Sequence, residues 1–104
     1  MSRYHFTPQA VDDLFEIWSY IALDNLEAAN RLEDAVYKAC AFLAEGPYRG
    51  AAREDISKLP LRFWTVQAFS NYIIVYDPAS DPLQIIRILH GSRDIRAILG
   101  EGIT

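Results

Sequence analysis

At 104 residues, 51% of them hydrophobic and 23% charged, the chain has the size and balance of one globular domain. Disorder is excluded by that composition, and an intrachain disulfide by Cys40 being the only cysteine. The net charge of −4 argues against the basic face that grips phosphate backbones, so no direct DNA binding is expected.

The charge is uneven. Through Gly46 there are three basic residues against eight acidic ones, and beyond it seven against six. The opening MSRYHF lacks an apolar signal core, and nowhere is there a run of about 18 apolar residues, so no membrane association is expected. With a lone cysteine this predicts a cytoplasmic protein.

Tyr4, His5 and Phe6 suit a short first strand, closed by Thr7-Pro8. Threonine before proline predicts a helix start, because the hydroxyl caps free amides and proline has none to satisfy. Ala10, Leu14, Ile17, Trp18 and Ile21 then recur at helical spacing, with Asp12, Asp13, Glu16 and Ser19 assigned to a solvated opposite face. Asp24-Asn25 interrupts the pattern. A second helix is predicted over 26–45, with Ala29, Leu32, Val36, Ala39 and Leu43 on one face and enough alanine for the helices to pack closely as a hairpin. Cys40 falls on that apolar face, as a core residue rather than a nucleophile. Gly46-Pro47 ends the helix, and residues 47–60 form a long polar loop carrying Arg49, Arg53 and Lys58.

Three runs rich in β-branched and aromatic residues follow, over 63–66, 72–76 and 83–89, with connections short enough to make an antiparallel meander. Tyr72, Ile74 and Tyr76 alternate with Ile73 and Val75, so the middle strand is apolar on both faces and requires cover on both. Leu83, Ile85, Arg87 and Leu89 are assigned to one side. After His90-Gly91, Ser92 is placed to cap a short helix over 93–99, and residues 100–104 read as a fraying tail. The fold class is α+β: an N-terminal strand, a helical hairpin, an antiparallel three-strand meander and a short C-terminal helix. One short helix is little cover for a second sheet face, so apolar surface around Ile73, Val75 and Trp64 is expected to stay open, as partner sites do.

Motifs for metal ligation, nucleotide binding or glycine-rich phosphate cradles are missing, and no cofactor or metal is expected. The one cluster with plausible chemistry is Arg62, Arg87, His90 and Arg93, which the meander would carry toward one end of the sheet. Arginines that hold a phosphate and a histidine that moves a proton would make a metal-free ribonuclease site. The structural alternative pairs Arg87 with Asp94 or Asp77.

Taken in order, Tyr4-His5-Phe6-Thr7-Pro8-Gln9-Ala10, Asp13-Leu14, Ile17-Trp18-Ser19-Tyr20-Ile21-Ala22, Pro47-Tyr48-Arg49-Gly50, Asn71-Tyr72-Ile73-Ile74-Val75-Tyr76 and residues 87–95 (RILHGSRDI) resemble the RelE/ParE toxin superfamily of type II toxin–antitoxin pairs. RelE-like members are mRNA endoribonucleases that use a middle-strand arginine and often a C-terminal tyrosine or histidine. The matching positions here hold Ile73 and Leu99, neither of which can donate to a phosphate. The chain is therefore more similar to the ParE-like branch. That resemblance implies a non-enzymatic inhibitor of DNA gyrase, held inactive by a ParD-like antitoxin whose C-terminal segment folds across the toxin. It further implies antitoxin contacts at Trp64, Ile73, Val75 and Arg87, and target contacts within residues 90–104 at His90, Arg93 and Arg96.

Overall fold

In the computed structural model, residues 3–102 are described. The elements are β1 (Tyr4–Phe6), α1 (Pro8–Ala22), α2 (Leu26–Glu45), β2 (Ala51–Ala52), β3 (Arg62–Thr65), β4 (Tyr72–Asp77), β5 (Leu83–His90) and α3 (Ile95–Gly102). The α+β class, the hairpin and the meander are as the sequence predicts. The long loop contains the additional short strand β2, and α3 runs through Gly100–Gly102 where a tail was expected; Ile103 and Thr104 lie outside the described residues.

Local chemistry fixes the hairpin. The Thr7 hydroxyl accepts from the Ala10 amide at 3.1 Å and donates to the Ile86 carbonyl at 2.8 Å, so one side chain starts α1 and ties it to the sheet. Asn25 caps α2 through the Ala28 amide at 3.0 Å. At the far end Asp94, not Ser92, caps α3, accepting from the Ala97 amide at 3.2 Å, while Ser92 turns back to His90.

The five strands lie in the order β1-β5-β4-β3-β2, with β1 parallel to β5 and the other neighbours antiparallel. Beneath the helices, Leu14, Leu32, Val36 and Leu43 pack on Ile74, Tyr76, Leu83, Ile85 and Ile88. On the opposite face Val75, Phe63 and Leu89 pack under Ile95 and Leu99 of α3, together with Leu61 and, from the loop, Ile56 and Leu59. The loop thus supplies the second cover that α3 alone could not. Val75, expected at an open surface, is fully buried for this reason.

Strict alternation along β5 fails at one point. Val75 pairs with Arg87 but the next residue, Tyr76, pairs with Ile85, so Ile86 is a bulge residue. The bulge shifts the parity: Leu83 and Ile85 share the helix-covered core with Ile88, whereas Leu89 belongs to the other core. The single-sided assignment of Leu83, Ile85, Arg87 and Leu89 is corrected accordingly.

Candidate functional site

An apolar groove of about 600 Å³ lies between α2 and the β3–β4 hairpin. On α2, Ala35, Ala39 and Phe42 recur at helical spacing and form one wall, with Arg31, Asp34 and Lys38 along the rim. Trp64 of β3 and Gln67, Ala68 and Phe69 of the following turn form the other. The Trp64 and Phe42 rings meet at 5.5 Å between centroids, tilted by 42°, and the Arg49 guanidinium stacks 4.0 Å from the Phe42 centroid. The groove therefore has an aromatic floor held by an arginine behind it. Trp64 Nε1 is buried with no hydrogen-bond partner, and Ala68 holds a left-handed φ of 68° at the turn. Arg31 and Lys38 make no ion pair among the described residues.

The turn after α2 is pinned from the sheet. The Tyr76 hydroxyl donates to the Pro47 carbonyl at 2.7 Å and accepts from the Gly50 amide at 2.8 Å, and the Arg62 guanidinium donates to the Gly50 carbonyl at 3.0 Å. Burial pushes the Tyr76 phenol pKa up, against the opposing pull of the Gly50 amide and Arg62. Only glycine fits at position 50, because a Cβ there would stand 2.5 Å from the Tyr76 hydroxyl and 2.9 Å from the Phe63 carbonyl.

At the other sheet edge, β1 pairs with β5 only as far as Phe6 opposite Ile85. Beyond that point Asp13 of α1 takes the place of a strand. Its Oδ2 accepts from the Ile88 amide at 3.0 Å and from Arg87 Nε at 2.7 Å, and its Oδ1 accepts from Arg87 Nη2 at 2.9 Å. Asp13, expected on a solvated face, is buried, and it rather than Asp94 or Asp77 is the partner of Arg87. The Asp13 hydrogen bonds hold the Arg87 guanidinium above its ordinary range, outweighing its partial burial.

These positions separate residues that the sequence grouped together. Arg62 stands opposite Tyr76 and His90 opposite Tyr72, four residues apart along β4, or roughly 13 Å. Arg87 is engaged toward α1. His90 Nδ1 accepts from the Ser92 amide at 3.0 Å and lies 2.6 Å from the Ser92 hydroxyl, and its ring meets the Tyr72 ring edge-on at 5.2 Å. Arg93 is exposed in the β5–α3 turn, and Arg96 donates to the Asp55 carbonyl of the long loop. The four candidate ribonuclease residues are therefore dispersed, contrary to the expected cluster.

The four candidate antitoxin contacts divide as well. Trp64 faces the groove, whereas Ile73 and Val75, of opposite parity on β4, belong to the core under α3, and Arg87 is bound to Asp13. Leu99 is buried in the same cluster that Ile73 packs against. Groove residues not singled out from the sequence are Arg31, Lys38, Phe42 and Phe69. The repeat Arg31, Ala35, Lys38, Ala39, Phe42 was the available signal, since it forms a second stripe beside the buried one on α2.

Fold and site together define a small α+β domain: a helical hairpin against a five-stranded sheet, with an open aromatic groove beside α2. The family model described as "ParE toxin of type II toxin-antitoxin system, parDE" matches residues 4–95, and the chain belongs to that family. It is similar in fold to a solved structure, "Chromosomal ParDE TA system from P. aeruginosa", with a TM-score of 0.68 and 22% identity over 84% of this chain and 92% of that one. No curated protein matches. No helix among the described residues is long and apolar enough to cross a membrane.

Proposed function

We propose that this ParE-family toxin acts in the cytoplasm by binding DNA gyrase and blocking it through protein contacts, without cleaving RNA. A ParD-like antitoxin silences it. The observation that carries the first part is the pairing of Ile73 and Leu99 in one apolar cluster under α3. A phosphodiester-cleaving site needs charge donors where charge develops, and losing one such donor costs around 3–4 kcal/mol of transition-state stabilisation. Here both positions that a RelE-like ribonuclease fills with donors are hydrocarbon.

For the antitoxin, the supporting features are the aromatic floor and the unpaired cations of the α2 groove. An acidic, initially disordered tail folding there would bury apolar side chains against Phe42, Trp64 and Phe69 and set its carboxylates beside Arg31 and Lys38. Among the contacts proposed from the sequence, Trp64 fits that role. Arg87 enters it only through the stability of the sheet edge that it shares with Asp13. For the target, His90, Arg93 and Arg96 remain the proposed contacts on the β5–α3 rim.

A supercoiling assay with purified gyrase, run beside a translation assay that maps message ends, tests the target. Loss of supercoiling with intact message is expected, and site-specific cuts would instead establish the RelE-like alternative. Trp64→Ala is expected to weaken binding of the cognate antitoxin more than tenfold by titration calorimetry with folding retained. Unchanged affinity would remove the groove from the interface.

A further inference from the structure

The two flanks of α2 differ in charge. One flank holds the groove described above, whose rim carries two cations, Arg31 and Lys38, and one acid, Asp34. The other, with α1, carries an apolar surface that the fold leaves uncovered. Val11 and Phe15 on α1 are 53% and 68% exposed, and Tyr37 on α2 is 41% exposed. Residues 11, 15 and 18 follow one another at helical spacing, so they form a continuous stripe. Between that stripe and Tyr37 lies a depression of about 200 Å³, whose lining contains a single charged residue, Glu33. The Trp18 ring at its edge is oriented by a hydrogen bond from Nε1 to Asn30 Oδ1 at 3.0 Å. A phenylalanine two-thirds exposed in mid-helix, beside a pre-formed depression, is a costly way to solvate a surface.

The charges around it select the occupant. Asp12 and Glu16, both exposed, flank Val11 and Phe15 on α1, and Glu33 closes the α2 side. The chain up to Gly46 carries eight acids against three basic residues. A second copy of this chain would bring the same acids against themselves across a two-fold axis, an arrangement that like-charge repulsion opposes. An acidic segment suited to Arg31 and Lys38 is excluded here for the same reason.

We propose that this face of the hairpin is a second docking surface, for a basic amphipathic helix of another protein that sets an apolar side chain between Phe15 and Tyr37 and its lysines or arginines against Asp12, Glu16 and Glu33. This is the helix-in-groove mode, with charge deciding which helices are admitted. The proposal is independent of the gyrase and antitoxin assignments, because it uses neither the Trp64 groove nor the β5–α3 rim.

The test uses the full chain and two fluorescein-labelled amphipathic peptides of about 18 residues with the same leucine spacing, one otherwise lysine-rich and one glutamate-rich. Fluorescence anisotropy at physiological salt should show the leucine–lysine peptide binding and the leucine–glutamate peptide not. Affinity should fall about tenfold in Phe15→Ser and several-fold in Glu16→Lys, both exposed sites, and stay unchanged in Leu23→Ser at the exposed end of α1, outside both surfaces. Circular dichroism confirms that each variant is folded. Three outcomes overturn the proposal. Equal binding by Phe15→Ser would mean diffuse charge attraction only. Equal binding of both peptides would mean unselective stickiness. Sedimentation showing a dimer of the native chain that Phe15→Ser abolishes would mean that a second copy is the occupant.

Discussion

Replacing Asp13 by alanine removes one carboxylate and three hydrogen bonds at once. Two run from Arg87, at 2.7 and 2.9 Å, and one from the Ile88 amide, at 3.0 Å. The side chains of Arg87 and Asp13 are 17% and 8% exposed, so neither group recovers full hydration when its partner is lost. Breaking a buried pair by deleting one member costs about 3–5 kcal/mol, and an orphaned buried amide adds about 1–3 kcal/mol. The partly exposed guanidinium can regain some water, which places the expected loss near the lower end, at about 3 kcal/mol. For a domain of this size that is a fall in Tm of at least roughly 12 °C. Asp13→Asn keeps an acceptor for the Ile88 amide but not the charge, and should cost about 2 kcal/mol. Arg87→Met leaves the carboxylate bonded only to the amide and should cost about 3 kcal/mol. The double variant Asp13→Ala/Arg87→Met removes both charges, so with the two single variants urea denaturation followed by tryptophan fluorescence should give a coupling energy of at least about 1.5 kcal/mol. An Asp13→Ala loss below about 1 kcal/mol, or a coupling below about 0.5 kcal/mol, would refute the idea that this carboxylate stands in for a strand.

Burial pushes the Cys40 thiol pKa up from 9.0 to about 12, so the neutral buried form stabilises the fold fully below pH 9 and that contribution is lost as pH rises toward 12. Urea denaturation at pH 8.5 and 10 should therefore show a steeper alkaline loss in the native chain than in Cys40→Ala, by up to about 1.4 kcal/mol per pH unit; equal slopes would contradict the burial. Tyr76→Phe removes the donor to Pro47 and the acceptor for Gly50 and should cost about 1–3 kcal/mol by the same assay. Ala68→Gly relieves the left-handed backbone at φ 68° and should raise stability by about 1 kcal/mol; a loss would mean that the methyl packs in the groove more favourably than the backbone is strained.

The first strand, the meander, the hairpin and the alternation of β4 were legible because each depends on local pattern, whereas β2 was read as loop. Thr7 and Asn25 cap where their chemistry places them, and Ile74 and Tyr76 face one core while Val75 faces the other. The long loop was harder. Ile56, Leu59 and Leu61 are spaced among polar residues with no periodicity, yet they cover the lower face of the sheet, and so the patch expected at Val75 is closed. Nothing local announces that a loop will fold back under a sheet. The bulge at Ile86 was equally silent, since Ile85, Ile86 and Ile88 are all apolar and any parity satisfies them.

The Asp13–Arg87 pair is different, because its signal was present and the residue type concealed it. Asp12 and Asp13 stand together in the second turn of α1, and two adjacent acids in a helix read as a solvated face. Yet Asp13 follows Ala10 by three residues and precedes Ile17 by four, which puts it in the buried stripe. Arg87 likewise interrupts a run of isoleucines and leucines in a strand. A buried charge is tolerated when its counter-charge reaches it with good geometry. Two ions of opposite sign, each misplaced in its own apolar pattern, therefore imply one another across 74 residues of sequence. Taken together they place α1 over the unpaired edge of β5.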